Sequence, residues 1–458
     1  MDNAKLNLES LIDSAALRSF HFMVMGCCAL TAMLDGFDTQ SIAFVVPDIA
    51  TAWGIEPARF APVFGAGLFG GLLGAIAFGR AGDRLGRRPT LLLSVLLFAV
   101  GSLVTPAAGS LRELGAARLV TGIGLGGALP AAIALTSEYA PRHLRTTLVS
   151  LMFCGFPLGA VLGGLASAKL IAAFGWQSVF IVGGALPLAL LPLLLALLPE
   201  SVRFLAASGR REAVARILAS LRCLDRWNGT TAARSAVEPR ARLSSLLTRG
   251  RATGTGLLWA TFFLSLLVTY FLINWIPVVA HRNGLDTATA VVAVAMLNLG
   301  SIVGSLVIAR LADWSDRGST IGWAYAIGAI AIALIGHAGG SGAWLCSLTF
   351  VAGVCSIGAQ MCTVALCSGF YDTPVRATGI GWSMGVGRIG AIAGPVLGGL
   401  LLGAGSSSPV LFFIAGAASF GAAIAVFALK RFVLDRHPGA PVESSTAPLA
   451  GDLLRRTG

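Results

Sequence analysis

Residues 60–79 read FAPVFGAGLFGGLLGAIAFG, and the chain then turns polar through Arg80-Ala81-Gly82-Asp83-Arg84-Leu85-Gly86-Arg87-Arg88. Twenty residues without a charge, rising 1.5 Å each, match the roughly 30 Å hydrocarbon core of a bilayer. The run is continuous rather than alternating, which predicts a helix and not a barrel strand. Charge appears only where such a helix would leave the lipid.

The same pattern recurs along the chain. Apolar stretches lie near 21–46, 60–79, 90–109, 113–138, 147–171 and 177–198, and again near 255–280, 287–309, 320–338, 343–369, 376–402 and 408–430. Only 12% of the 458 residues are charged and 56% are hydrophobic, whereas a soluble domain carries roughly a quarter charged. The expectation is an all-α membrane protein, twelve transmembrane helices in two six-helix pseudo-repeats. Its parts are an N-terminal half 1–198, a cytoplasmic central loop 199–254, a C-terminal half 255–430 and a disordered cytoplasmic tail 431–458. The polar start, Met1 to Arg18, has no basic leader before a short apolar stretch, so no removable signal peptide is expected.

The net charge of +12 could suggest nucleic acid, but the basic residues sit between spans. With the N-terminus inside, one face receives 27 of the 33 Lys and Arg, and the other only Arg59, Arg112, Lys169 and Arg282. That asymmetry predicts a bacterial inner-membrane protein with both ends cytoplasmic. Within the central loop, 210–222 puts Val214, Ile217, Leu218 and Leu221 on one side, which suggests a surface helix drawn to anionic lipid. The eight Cys form no CxxC pair, so they read as small core residues, and no metal site is expected.

The halves look duplicated. Asp83 precedes Arg145 by 62 residues, and Asp313 precedes Arg376 by 63. Two six-span repeats are a build used by alternating-access carriers. In the quoted turn, Gly79, Gly82 and Gly86 permit close approach, Asp83 can face a helix N-terminus, and Arg84, Arg87 and Arg88 can pair with acids or lipid. Such a loop could latch one conformation. This turn resembles the signature between the second and third helices of the major facilitator superfamily. Its second-half counterpart, Arg310 to Gly318 with Asp313 and Arg317, is degraded; Pro199-Glu200-Ser201 and Arg118-Leu119-Val120-Thr121-Gly122 also fit. The resemblance implies a structural or coupling role for Arg118.

Asp35 and Asp38 lie midway along the first span, in Asp35-Gly36-Phe37-Asp38. Carboxylates at bilayer depth are costly and normally serve function. At i and i+3 they share a helical face, and two such groups in a low dielectric cannot both ionise easily. The pair is therefore a candidate for proton coupling, Asp38 lying nearer the outer surface. This element resembles that of the aromatic acid/proton symporters, as do Leu272-Ile273-Asn274-Trp275-Ile276-Pro277, Thr136-Ser137-Glu138 and Arg376-Ala377-Thr378-Gly379. Members carrying hydroxyphenylpropionate or hydroxybenzoate would be nearest. Glu138, Arg145 and Arg376 take structural or coupling roles by this likeness.

Arg388 stands in the Gly-rich stretch Gly385 to Gly399, where its planar guanidinium could grip a carboxylate with two hydrogen bonds or pair structurally with a buried acid. Asn274, Trp275, Gln360, Met152 and Phe156 are candidate cavity residues, Trp275 for stacking and Asn274 and Gln360 for a phenolic hydroxyl. The stripes Gly155-Gly159-Gly163-Gly164 and Gly390-Gly394-Pro395-Gly398-Gly399 could be rocking interfaces or simple helix packing. Gly122-Ile123-Gly124-Leu125-Gly126-Gly127 satisfies a dinucleotide pattern, yet it lies inside a span with no strand before it. No cofactor is expected, and no P-loop lysine suggests ATP. The reading is a monomeric, proton-coupled importer of aromatic or related small carboxylic acids, with small-molecule carboxylate, protons and membrane lipid as partners. A drug/proton antiporter of the same fold is its first rival, and a membrane enzyme or non-transporting sensor the second.

Overall fold

The computed structural model describes residues 8–13, 16–141, 144–221, 223, 227, 243–248 and 251–431. The remainder of the central loop and the tail 432–458 lie outside the described residues.

Among the described residues, twelve helices are long and apolar enough to cross a membrane. In order they are Ser19–Trp53, Pro57–Leu85, Arg87–Ala107, Leu111–Tyr139, Thr147–Phe174, Gln177–Leu197, Ala252–Arg282, Thr287–Ala312, Arg317–Ile335, Gly342–Phe370, Thr378–Gly403 and Ser408–Leu429, and are numbered below as the first to twelfth spans. Helices form here because a backbone without water must satisfy its own N–H and C=O groups. The first span runs past its apolar reading to Trp53, where Gly54 at φ 64° ends it in the left-handed conformation. The fifth is broken at Cys154, which is exposed rather than a core residue. The tenth carries a π-helical turn at Gly353–Ile357.

Among the described residues, buried apolar side chains form three clusters. One, from Phe37 to Phe64 and from Leu267 to Leu297 among others, is built by both halves. The second belongs to the first half alone and the third to the second half alone. The halves therefore merge at one end of the bundle and keep separate cores at the other. The separate end carries the 80–88 turn and the helices Val202–Ala207 and Arg211–Ser220. It is called the loop end below, and its opposite the sealed end.

One expectation changes, and one left open by the sequence narrows. The apolar side of Arg211–Ser220 does not face lipid: Val214, Ile217 and Leu218 pack in the first half's own core, with Leu8, Leu11 and Ile12 of the short helix Leu8–Asp13. The glycine stripes also serve chiefly within each half. Gly155, Gly159 and Gly163 back onto Ala29, Met33 and Phe37 of the first span, while Gly390 and Gly394 meet Phe263 and Leu267 of the seventh. Only their ends look across: Gly164 toward Val291 and Gly399 toward Ala58 and Ala61. Gly122 and Gly126 abut the second span and Gly124 the third, so the dinucleotide look-alike is helix packing.

Candidate functional site

The first span brings its two carboxylates to different partners. Asp38 is fully buried within the protein, and its span continues well beyond it among both halves. Its Oδ2 pairs with Arg118 Nη2 at 2.8 Å, and the same nitrogen donates to the Asp38 carbonyl at 3.1 Å. Ser102 of the third span donates its hydroxyl to Oδ1. The Phe180 ring lies 5.5 Å from the Arg118 guanidinium. Arg118 Nε and Nη1 are buried without a hydrogen-bond partner among the described residues. This is an ion pair stripped of water on both sides, with exposures of 3% and 0%.

Asp35 is as deep but differently held. Its Oδ1 accepts from Thr39 Oγ1 at 3.0 Å, and its Oδ2 is buried without a partner among the described residues. Charge interactions reach from it to Arg388 on the eleventh span and to Asp38. Tyr270 of the seventh span sits in the field of both Asp35 and Arg388. Arg388 is partly buried and leans across the halves, its Nη1 3.4 Å from the Gly71 carbonyl of the second span. Asp35 thus feels the charge of Arg388, Tyr270 feels both, and Arg388 itself reaches the other half at Gly71.

The other predicted cavity residues divide. Asn274 is nearly buried and spends its amide on the Tyr270 carbonyl, 2.7 Å away and one turn back. Trp275 does not line a cavity: it is fully buried, its indole N–H donates to the Pro395 carbonyl at 3.0 Å, and Phe64 meets it edge-on at 5.5 Å. It belongs to the seal because the large ring fills the gap that Gly398 leaves. Met152 is fully buried in the first half's core, and Phe156 stacks on Phe153. Gln360 follows the π-helical turn, partly exposed, and nothing described ties it to Asp35 or Arg388. Sequence reading passed over Ser102, Tyr270, Gln40 and Asn298. Gln40 and Asn298 were detectable as amides deep inside apolar runs, the kind of residue lipid selects against.

At the loop end the expected latch is rearranged. Asp83 lies in the last turn of its helix, half exposed, and pairs with Arg87 one turn on at 2.7 Å. It does not cap a helix. The carboxylate at the N-terminus of Arg87–Val104 is Glu200, whose Oε1 accepts from the backbone N–H of Arg87 at 2.8 Å, of Arg88 at 3.1 Å and of Ser201 at 2.7 Å. Four unpaired N–H groups and the helix dipole make that spot the favoured one for an anion. Gly86 holds φ 101° against this carboxylate, so a side chain there would be strained and would collide with it. Gly79 faces open space and has no such requirement. Arg88 donates to the Leu195 carbonyl, Tyr139 to the Glu200 carbonyl, and Ser201 to Glu138. Arg84 is exposed.

Arg145 pairs with Asp13 at 2.5 Å, and Arg376 Nε donates to the Tyr371 carbonyl at 3.1 Å. In the second half Asp316, just before Arg317, caps its own helix by accepting from Ser319 N–H at 2.6 Å, with Lys430 3.0 Å away. The Asp313 side chain lies outside the described set. The magnitudes separate the two acids of the first turn. Glu200→Ala removes a cap and should cost about 1–2 kcal/mol, whereas Asp83→Ala removes an exposed i,i+4 pair worth about 0.3–0.5 kcal/mol. Thermal unfolding of both variants in one detergent checks the order; equal losses would remove Glu200 from the capping role.

Among the described residues no three His, Cys, Asp or Glu converge as a metal site. The sequence matches the model of the Major Facilitator Superfamily over residues 28–381 and 300–457. It is 38% identical to a gallate transporter of Pseudomonas putida, over 93% of this chain and 95% of that one. It is 36% identical to a 4-hydroxybenzoate transporter of Pseudomonas aeruginosa, over 88% and 90% of the two chains. A 3-(3-hydroxy-phenyl)propionate transporter of Escherichia coli is also 36% identical, over 89% and 93%. Among solved structures, the xylose transporter of Escherichia coli in a partially occluded inward-open conformation superposes with a TM-score of 0.70 at 18% identity, covering 91% of this chain and 98% of that one.

Proposed function

Because this chain belongs to the major facilitator superfamily, and its family and relatives are transporters rather than enzymes, we propose that it imports an aromatic or related small carboxylic acid across the bacterial inner membrane, coupled to protons. The relatives named above carry gallate, 4-hydroxybenzoate and 3-(3-hydroxyphenyl)propionate, acids that share a ring and one carboxylate.

One observation carries the reading: Asp35, with an oxygen buried and unpartnered among the described residues, lies within charge reach of Arg388, which itself reaches across to Gly71. Among the described residues the Arg388 guanidinium makes one weak bond, to Gly71, which leaves donors for a carboxylate. Asp35 is the acid that shares the surroundings of Arg388. An arriving carboxylate takes over Arg388, and a proton on the free Asp35 oxygen then removes a buried charge that nothing else offsets. Binding and protonation thus favour each other. Asp38 is already neutralised by Arg118, so the proton carried with substrate is assigned to Asp35, and the Asp38–Arg118 pair holds the first and fourth spans in register. By the distribution of basic residues, the loop end faces the cytoplasm and the sealed end the periplasm. Shared packing at the sealed end and separate cores at the loop end are what an inward-facing carrier needs.

Uptake of labelled gallate and 4-hydroxybenzoate into proteoliposomes, with an imposed inward proton gradient, tests the proposal. Accumulation that collapses with a protonophore supports it. Extrusion of substrate, or uptake indifferent to the gradient, favours the antiport rival or an uncoupled carrier. Arg388→Lys should keep the charge but lose the bidentate fit. Hydrogen bonds to charged groups contribute about 1.5–3 kcal/mol, so the half-saturation concentration should rise about 10- to 100-fold, as read from uptake against substrate concentration.

A further inference from the structure

Gln40 and Asn298 face each other across the two halves and exchange two hydrogen bonds. Gln40 Nε2 donates to Asn298 Oδ1 at 3.0 Å, and Asn298 Nδ2 returns one to Gln40 Oε1 at 2.9 Å. Asn298 Nδ2 also donates to the Val294 carbonyl, one turn back on the eighth span, at 2.9 Å. Gln40 is fully buried and Asn298 is 5% exposed. Around them the sealed end is apolar, with Phe44, Val45, Val294 and Leu297 in the core that both halves share. Apolar contact there is broad and tolerant of sliding. Two reciprocal amide bonds are directional, and they fix one register between the first and eighth spans.

We propose that Gln40 and Asn298 form a polar clasp that sets the register of the closed sealed end, lets that end part by hydration, and opens in every transport cycle. The inference rests on the alternating-access reading and goes beyond the substrate site. The bonding capacity of the amides argues for a clasp over a ligand subsite: both oxygens and the facing N–H groups are used on each other, and Asn298 spends a second N–H on its own helix. The same chemistry lets it open. When the halves separate here, water enters and replaces each amide bond, so parting costs little net hydrogen bonding. A salt bridge in the same place would resist opening more, and an all-apolar contact would gain nothing from the water that enters.

A signature of signs follows. Gln40→Leu or Asn298→Leu leaves one amide buried and unpaired while the end is shut, a penalty relieved only by opening. Replacing both by Leu removes the orphan and also the hydration gained on opening, so the end should stay shut. Exchanging the residues, Gln40→Asn with Asn298→Gln, keeps both bonds at nearly the same total length.

The experiment uses the full chain in nanodiscs, its eight native cysteines replaced, with one reporter cysteine at the fully buried Val46 (Val46→Cys). A second chain carries the reporter at Leu135, fully buried in the first half's own core (Leu135→Cys), to register unfolding. Labelling by a charged maleimide is followed in time. Each single Leu variant should label at Val46→Cys about 5- to 100-fold faster than the parent, while Leu135→Cys stays unlabelled. The double Leu variant should label at or below the parent's rate, and the exchanged pair within about twofold of it. Parent-like rates in the single variants, or a double variant as fast as the singles, would overturn the clasp. No substrate or proton gradient enters this measurement, so a failed uptake assay and a failed clasp are separate results.

Discussion

Asp35→Asn is expected to give a carrier that folds, binds its substrate and exchanges it, yet no longer concentrates it. The substitution is nearly isosteric. The Asn oxygen can still accept from the Thr39 hydroxyl, and the position of Oδ2, which has no partner among the described residues, becomes an amide nitrogen. What disappears is the ability to take and release a proton. Each coupled proton contributes about tenfold to the accumulation ratio per unit of pH gradient and about fiftyfold per 100 mV of membrane potential. Counterflow of labelled substrate should persist in the variant, and uphill uptake driven by a pH gradient should vanish. Gradient-driven accumulation at the parent's level would remove Asp35 from the coupling step.

The largest effect on stability is expected at the neighbouring acid. Arg118→Leu strands the Asp38 carboxylate in an environment with no exposure, and breaking a buried pair from one side costs about 3–5 kcal/mol. Adding Asp38→Asn should restore most of that, because a neutral amide beside the introduced leucine leaves no charge to bury, and Ser102 can still donate to its oxygen. The yield of monodisperse protein and the thermal midpoint in detergent both read this. A double variant as unstable as the single would mean that Arg118 matters for its packing on Phe180 rather than for its charge.

The spans were legible because lipid imposes one rule on the whole chain: long uninterrupted apolar runs, with charge held at their ends. All twelve expected runs coincide with spanning helices. The site was only half legible. Asp35 and Asp38 stand out as buried charges, and at i and i+3 they share a face. That face is wide enough for one to turn toward Arg118 and the other toward Arg388 and Tyr270, a choice made by packing between spans far apart in the chain. The periodicity of a helix shows which residues share a side and not which helix lies opposite. Trp275 illustrates the limit: its neighbours Phe64 and Pro395 lie on two other spans, so nothing local distinguishes a ring in a seal from a ring in a cavity. The same limit hid Glu200, which reaches a helix start 113 residues earlier in the chain.

That reach has a practical reading for protein engineering. The first half caps its turn with a residue that follows its sixth span, whereas the second half uses Asp316, three residues from the N–H it serves. A split carrier, expressed as two fragments, should therefore be divided beyond Cys223, so that the first fragment keeps Glu200 and the helices that complete its core. A fragment ending at Leu197 would carry all six of its spans and still lack the group that caps the start of its third.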